Sequence, residues 1–502
     1  MNRGLNGILL LFCFGAFTKL PTVLARPYIA AVVEYSPTGS VFSQTPAEVL
    51  GQNLNNYNQL IVEAASLGVD IIVFPEYGIT TLTLSSLSRL AARPFLQQFP
   101  SINSSAPQLL CDGNATIPDQ DLVFTKLSCY ARQNAIYVVI NVGEIVVCSA
   151  GQNTTENGVC PDDGAFQYSS DVVFDRNGVL LARYRKTHLF LEPLFQVPIA
   201  TDLTVFSTDF GINFGMMTCF DIMFYEPALT LYYQQGIKDF VFPTAWVDEL
   251  PFLTAIQMQE GWTRFLGGTL LASNYHLPAN AQIGSGIYDA AGAINYTSSP
   301  DSGTRLVIAQ VGGNEKSTLA NSVSSSTARW MEPHGMLYED LTNYSNMELI
   351  TGEAQTVSLC HEDLCCHLNY SIVCPTDEVC DQYRLFSYSG FRTLGGGTYT
   401  INIQLCGVVA CVNENVQSCA KPTVTQIAQI NALELAGNFS SAHQVYPTCI
   451  TKELQLLPVG SLQLNIYDDG EVGLVASRSL SETLAIGLYG RAYDKDIDME
   501  RE

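Results

Sequence analysis

Cys219 stands in Met216-Met217-Thr218-Cys219-Phe220-Asp221-Ile222, at the end of the strand-like run Gly211 to Thr218. A thiol is the best side-chain nucleophile near neutral pH, but only as thiolate, so it needs a proton acceptor or a cation beside it. Two residues could meet that need from similar settings. Glu76 lies in Ile71-Ile72-Val73-Phe74-Pro75-Glu76-Tyr77-Gly78, and Lys186 in Tyr184-Arg185-Lys186-Thr187-His188-Leu189-Phe190. Each follows an apolar run, where a strand end gives the rigid positioning that chemistry requires. Partial burial would raise the Glu76 pKa toward the range useful for proton transfer, and a pocketed lysine can polarise an amide oxygen. Singly, each has an ordinary explanation: a buried structural cysteine, a carboxylate capping a loop, a solvated lysine beside Arg185. His188 offers a Cys-His alternative, though no Asn or Asp partner for it stands out in the sequence. Gly284-Ser285-Gly286 lacks the outer spacing of a serine-hydrolase elbow, and no phosphate-cradling or dinucleotide loop is found.

The elements that must hold these residues alternate. Tyr28 to Val33 reads as a strand, Pro46 to Leu67 as a helix with Leu50, Leu54, Tyr57, Ile61 and Ala65 on one face, and Ile71 to Phe74 as a strand. Apolar runs at Ala135 to Val147, Val172 to Arg183, Phe214 to Thr218, Asp239 to Phe242 and Thr269 to Ala272 continue the pattern, and Phe224 to Gln235 reads as a helix after Cys219. This predicts an α/β layered domain over residues 26–318. Beyond about Leu319 a Ser/Thr-rich stretch precedes eight cysteines between Cys360 and Cys419. Residues 319–502 are expected to form a mainly β, disulfide-stapled domain whose one helical pattern covers Val424 to Leu435.

Residues 1–25 read as a secretory signal: Arg3, an apolar core from Ile8 to Phe17, and Val23-Leu24-Ala25 before Arg26. A spanning anchor would need about 20 apolar residues and Lys19 interrupts any such stretch here, which argues against a retained anchor, and no later segment is long enough to span. The end of the chain, Asp494 to Glu502, has no apolar tail for a lipid anchor, so a soluble, secreted product is expected. Of 15 cysteines, Cys13 lies in the signal and Cys219 in the candidate site, which leaves an odd thirteen; most should pair and at least one stay free. Cys360-His361, Cys365-Cys366-His367, Cys374 and Cys380 could instead hold zinc, but export favours disulfides. Asn-x-Ser/Thr sites at Asn103, Asn114, Asn153, Asn295, Asn343, Asn369 and Asn438 are glycosylation candidates. A formal charge of −24 would repel a nucleic-acid backbone, so DNA and RNA are not expected partners.

The order Glu76, Lys186, Cys219, in Phe-Pro-Glu-Tyr-Gly, Tyr-Arg-Lys-x-His-Leu-Phe and Thr-Cys-Phe-Asp-Ile, resembles the nitrilase superfamily of carbon–nitrogen hydrolases. Its vanin and biotinidase branch is matched by Cys219 to Ala228, by Phe242-Pro243-Thr244-Ala245-Trp246, and by Leu270 to Asn274 followed by Gly284 to Tyr288. Met223 stands where the wider superfamily usually has arginine and the vanin branch an apolar residue. The resemblance implies an αββα sandwich followed by a β-rich base domain. It implies Glu76 as general base and acid, Lys186 and the Phe220 N–H as oxyanion stabilisers, Cys219 as nucleophile, and Glu192 near the place of a second glutamate that orients the lysine. No metal or organic cofactor is implied. The implied substrate is a small-molecule amide of a vitamin: first pantetheine, cleaved to pantothenate and cysteamine, and second a biotin amide such as biocytin, whose version the run Phe190 to Pro198 resembles more closely without outweighing the general vanin likeness. A catalytically silent binding protein and an acyl transferase are the other readings.

Overall fold

The computed structural model describes residues 26–100, 109–111, 122–301, 303–312, 335–374, 380, 382–421, 428–440, 444–467 and 470–496. The expected signal segment, the domain boundary at 318/319, Asn103 and Asn114 lie outside the described residues.

Two six-stranded sheets form the centre of the first domain. In the first, Tyr28–Glu34, Ile71–Val73 and Tyr137–Val147 run parallel. In the second, Asn213–Met216, Asp239–Pro243 and Thr269–Ser273 do so. Strand alternation explains how one run serves two layers: Ala30 and Val32 point into the core between the sheets, while Ala31 and Val33 lie under the helices. The helix Pro46–Ser66 starts at a Thr45/Glu48 capping box with Pro46 at its first position. Its Leu50, Leu54, Tyr57 and Ile61 cover the first sheet together with the Leu122–Asn134 helix. Leu229 and Leu231 of Ala228–Gln235, and Trp262 and Leu266 of Ala255–Leu266, cover the second. The result is the expected αββα sandwich. The helix expected from Phe224 begins only at Ala228, because Phe224 is extended where it leaves a separate one-turn 3-10 helix at Cys219–Met223.

The C-terminal region is built on two five-stranded antiparallel sheets. Cys366–Cys406 ties one to the other, and Cys360–Cys365, Cys374–Cys380 and Cys411–Cys419 close local loops. The five cysteines of the zinc alternative are therefore consumed as disulfides. Cys111–Cys129 and Cys148–Cys160 complete the pairs, and Cys449 is the thiol left over, buried. The helical reading of Val424 to Leu435 is wrong: Gln429–Gly437 is a strand, and residues 422–427 lie outside the described set. Ile430 pairs with Ile372 and Ala432 with Ser371, so Asn431 is an extra, bulged residue. That bulge puts Ile430 and Leu433, both buried, three apart, which imitates helical spacing.

This region docks on the outer face of the Ala255–Leu266 helix, where the Gln257 amide donates to the Thr448 hydroxyl at 2.9 Å. Of the glycosylation candidates, Asn153, Asn343, Asn369 and Asn438 are exposed, and Asn295 is half-buried, donating to the Ile308 carbonyl at 2.8 Å. Among the described residues no helix is long and apolar enough to cross a membrane.

Candidate active site

Parallel strands bring their C-terminal ends to one edge of a sheet, and the segments that follow them gather there. Glu76 comes after Ile71–Val73; Phe74 still donates to the Val139 carbonyl, and Pro75, without an N–H, lets the ladder stop. Tyr77 then turns the chain at φ +58°, its N–H held by Asn141 Oδ1 at 3.1 Å, which leaves Glu76 only 1% exposed. Lys186 follows Leu180–Arg185 and donates its N–H to the Ser169 carbonyl. Strand alternation separates the adjacent cations. Arg185 turns to Glu144 and Asn157, while Lys186 turns to the other face and reaches Glu76 Oε1 at 2.7 Å and Glu192 Oε2 at 2.5 Å.

Cys219 begins the 3-10 turn at φ +45°, a strained backbone for a non-glycine residue. Its thiol lies beside the Glu76 carboxylate and near Lys186. The Thr244 hydroxyl and the Ala245 N–H, at the end of Asp239–Pro243, also face the sulfur. Thr244 Oγ1 is buried and has no hydrogen-bond partner among the described residues.

Burial dominates the electrostatics. It pushes Glu76 up to about 7 against the pull of Lys186, with the nearby Glu192 charge adding to the rise. It pushes the Cys219 thiol up to about 12, helped by the Glu76 charge and opposed by Lys186. Burial disfavours the Lys186 ammonium too, but Glu192 and Glu76 outweigh it and hold that pKa well above the ordinary value. The resting site thus holds a fixed ammonium and a thiol, and the proton acceptor for that thiol titrates near neutrality.

His188 does not join them. Its Nδ1 lies 2.9 Å from Asp221 Oδ1 and its ring stacks on Phe224 with centroids 3.8 Å apart, so the partner that the sequence did not reveal is Asp221, and the pair braces the loop. Glu192, by contrast, lies against Lys186. It accepts from Tyr77 Oη at 2.6 Å and from the Phe190 N–H at 2.9 Å, which fixes the carboxylate against Lys186. Behind the site, Asp171 joins two of the turns: it accepts from Thr218 Oγ1 at 2.7 Å and from Asn141 Nδ2 at 2.9 Å, and burial raises its pKa well above the carboxylate range. Tyr77, Asn141, Asp171 and Thr244 were not singled out from sequence. Asp171 gave a signal, as a carboxylate inside an apolar strand; Thr244 lay within a motif read only for its likeness.

A family model of carbon–nitrogen hydrolases matches residues 29–256, and a model of the vanin C-terminal domain matches residues 334–496. Pantetheinase of Mus musculus is 33% identical over 509 residues, covering 97% of this chain and 93% of that protein. The chain belongs to the carbon–nitrogen hydrolases, in their vanin branch. Pantetheinase of Homo sapiens is 32% identical (97% of this chain, 92% of that protein), and biotinidase of Homo sapiens 30% identical (94% and 90%). This vanin-type protein is an amide-hydrolysing enzyme. Both of its halves are spanned by these relatives.

Proposed function

We propose that this vanin-type amidohydrolase cleaves pantetheine to pantothenate and cysteamine through a thioester on Cys219. The observation that carries the mechanism is the convergence of Cys219, Glu76 and Lys186 in one buried cluster. With the thiol at about 12 and its acceptor at about 7, free thiolate is scarce, so Glu76 removes the proton as sulfur attacks the amide carbon. The carbonyl oxygen becomes an oxyanion, stabilised by the Lys186 ammonium and the Phe220 N–H. As the C–N bond breaks, Glu76 returns its proton to the departing amine. Water then gives a proton to Glu76 and attacks the thioester; the C–S bond breaks, the acid leaves, and Cys219 recovers its proton.

The pantetheinase relatives, alike over nearly the whole chain, favour pantetheine; the biotinidase relative makes biocytin the competing substrate. Side-by-side kinetics decide: kcat/KM is expected to be higher on pantetheine, and a preference for biocytin would overturn that choice. Turnover of neither would favour a silent binding protein, and diversion of product by added amines an acyl transferase. The same reading assigns residues 26–318 to the catalytic domain and 319–502 to the base domain. Six disulfides support export of the chain.

A further inference from the structure

Two side chains of the C-terminal region reach the walls of the site. Tyr399, in the strand Tyr399–Cys411, accepts the Leu191 N–H at its hydroxyl at 2.7 Å. Its ring packs against Phe190 and Phe220, with centroids 5.3 and 5.1 Å away. Leu191 needs such an anchor: its φ is +54°, costly for a side chain of this kind, and its own side chain is half exposed rather than packed. The next residue is Glu192, which holds Lys186. Arg491, fully buried, donates from Nε to the Met223 carbonyl at 2.8 Å, closing the far end of the 3-10 turn that Cys219 opens. Its guanidinium is itself fixed by Asp496 at 2.6 Å and by the Asn402 carbonyl.

We infer that the base domain completes the catalytic site, with Tyr399 as a positioning residue that sets Lys186 through Leu191 and Glu192 while its ring backs the nucleophile turn at Phe220. Among the described residues, the Leu191 N–H finds its hydrogen-bond acceptor in the Tyr399 hydroxyl. The inference rests on the proposed roles of Lys186 and Cys219, and its consequence is specific. Lys186 acts on charge that develops only in the transition state, so loosening it lowers kcat and leaves KM nearly unchanged.

The test is Tyr399→Phe in the full-length enzyme, which keeps the ring and removes the hydroxyl. Tyr388→Phe is the control, since the Tyr388 hydroxyl donates to the Phe391 carbonyl within the same hairpin. Pantetheine kinetics are normalised to active enzyme by counting alkylated Cys219 peptide, so misfolded material does not contribute. Loss of one hydrogen bond predicts a kcat about tenfold lower for Tyr399→Phe, with KM within about twofold and Tyr388→Phe like wild type. A wild-type kcat in Tyr399→Phe, a loss seen only in KM, or an equal loss in both variants would overturn the inference. Cys219→Ala is run alongside: if it still hydrolyses pantetheine, the reading of the site fails instead.

Discussion

At the residue scale the account turns on which groups carry protons near pH 7. Glu76 must be ionised to accept the thiol proton, and burial sets its pKa at about 7. Because the required form is the deprotonated one, kcat/KM is lost as pH falls through about 7 and reaches a plateau above it. Glu76→Gln abolishes that acid limb and lowers kcat by about 10²- to 10⁴-fold in steady-state assays. Lys186→Met removes the oxyanion partner and leaves Glu76 facing Glu192 without a cation between them; a kcat loss of about 10²- to 10³-fold is expected. These three residues were legible in the sequence because each follows an apolar run and their types are complementary. Tyr77 was quoted in the same motif as Glu76, yet nothing local indicated that its hydroxyl would find Glu192, more than a hundred residues away.

At the element scale the site depends on turns held by buried polar groups behind the strand ends. Asp171 takes one hydrogen bond from the nucleophile turn at Thr218 and another from Asn141, which holds the Glu76 turn. Thr218→Val removes one donor from a fully buried acid. The expected cost is about 1–3 kcal/mol in chemical denaturation, together with reduced kcat as the Cys219 turn relaxes. The strands that carry the site were readable because their apolar runs are β-rich and bounded by turn residues. What was not readable was register. The bulge at Asn431 made a strand look helical, and the 3-10 turn at Cys219–Met223, just before the expected helix, had no sequence signal of its own. In both places hydrogen bonding to distant partners decided the geometry.

At the scale of the whole molecule, the C-terminal region packs directly on the first domain through the helix Ala255–Leu266 and the strand Val445–Thr451. Gly261, on the helix that faces the base domain, leaves room for the Pro447 carbonyl, into which a Cβ would collide. Gly261→Ala should therefore lower thermal stability, by about 1–3 kcal/mol, and reduce kcat if Tyr399 shifts with its domain. Removing Cys366–Cys406, which joins the two base-domain sheets, should cost about 2–5 kcal/mol in denaturant unfolding. None of this docking was visible in the chain: Tyr399 and Arg491 lie far beyond the catalytic motifs, in a region whose sequence signalled only strands and disulfides. The most direct test of the central claim is intact-mass analysis of the enzyme quenched in acid during pantetheine turnover. The account predicts a pantothenoyl adduct on Cys219 that is absent from Cys219→Ala, with cysteamine release lost in that variant; cysteamine release at the wild-type rate by Cys219→Ala would contradict it.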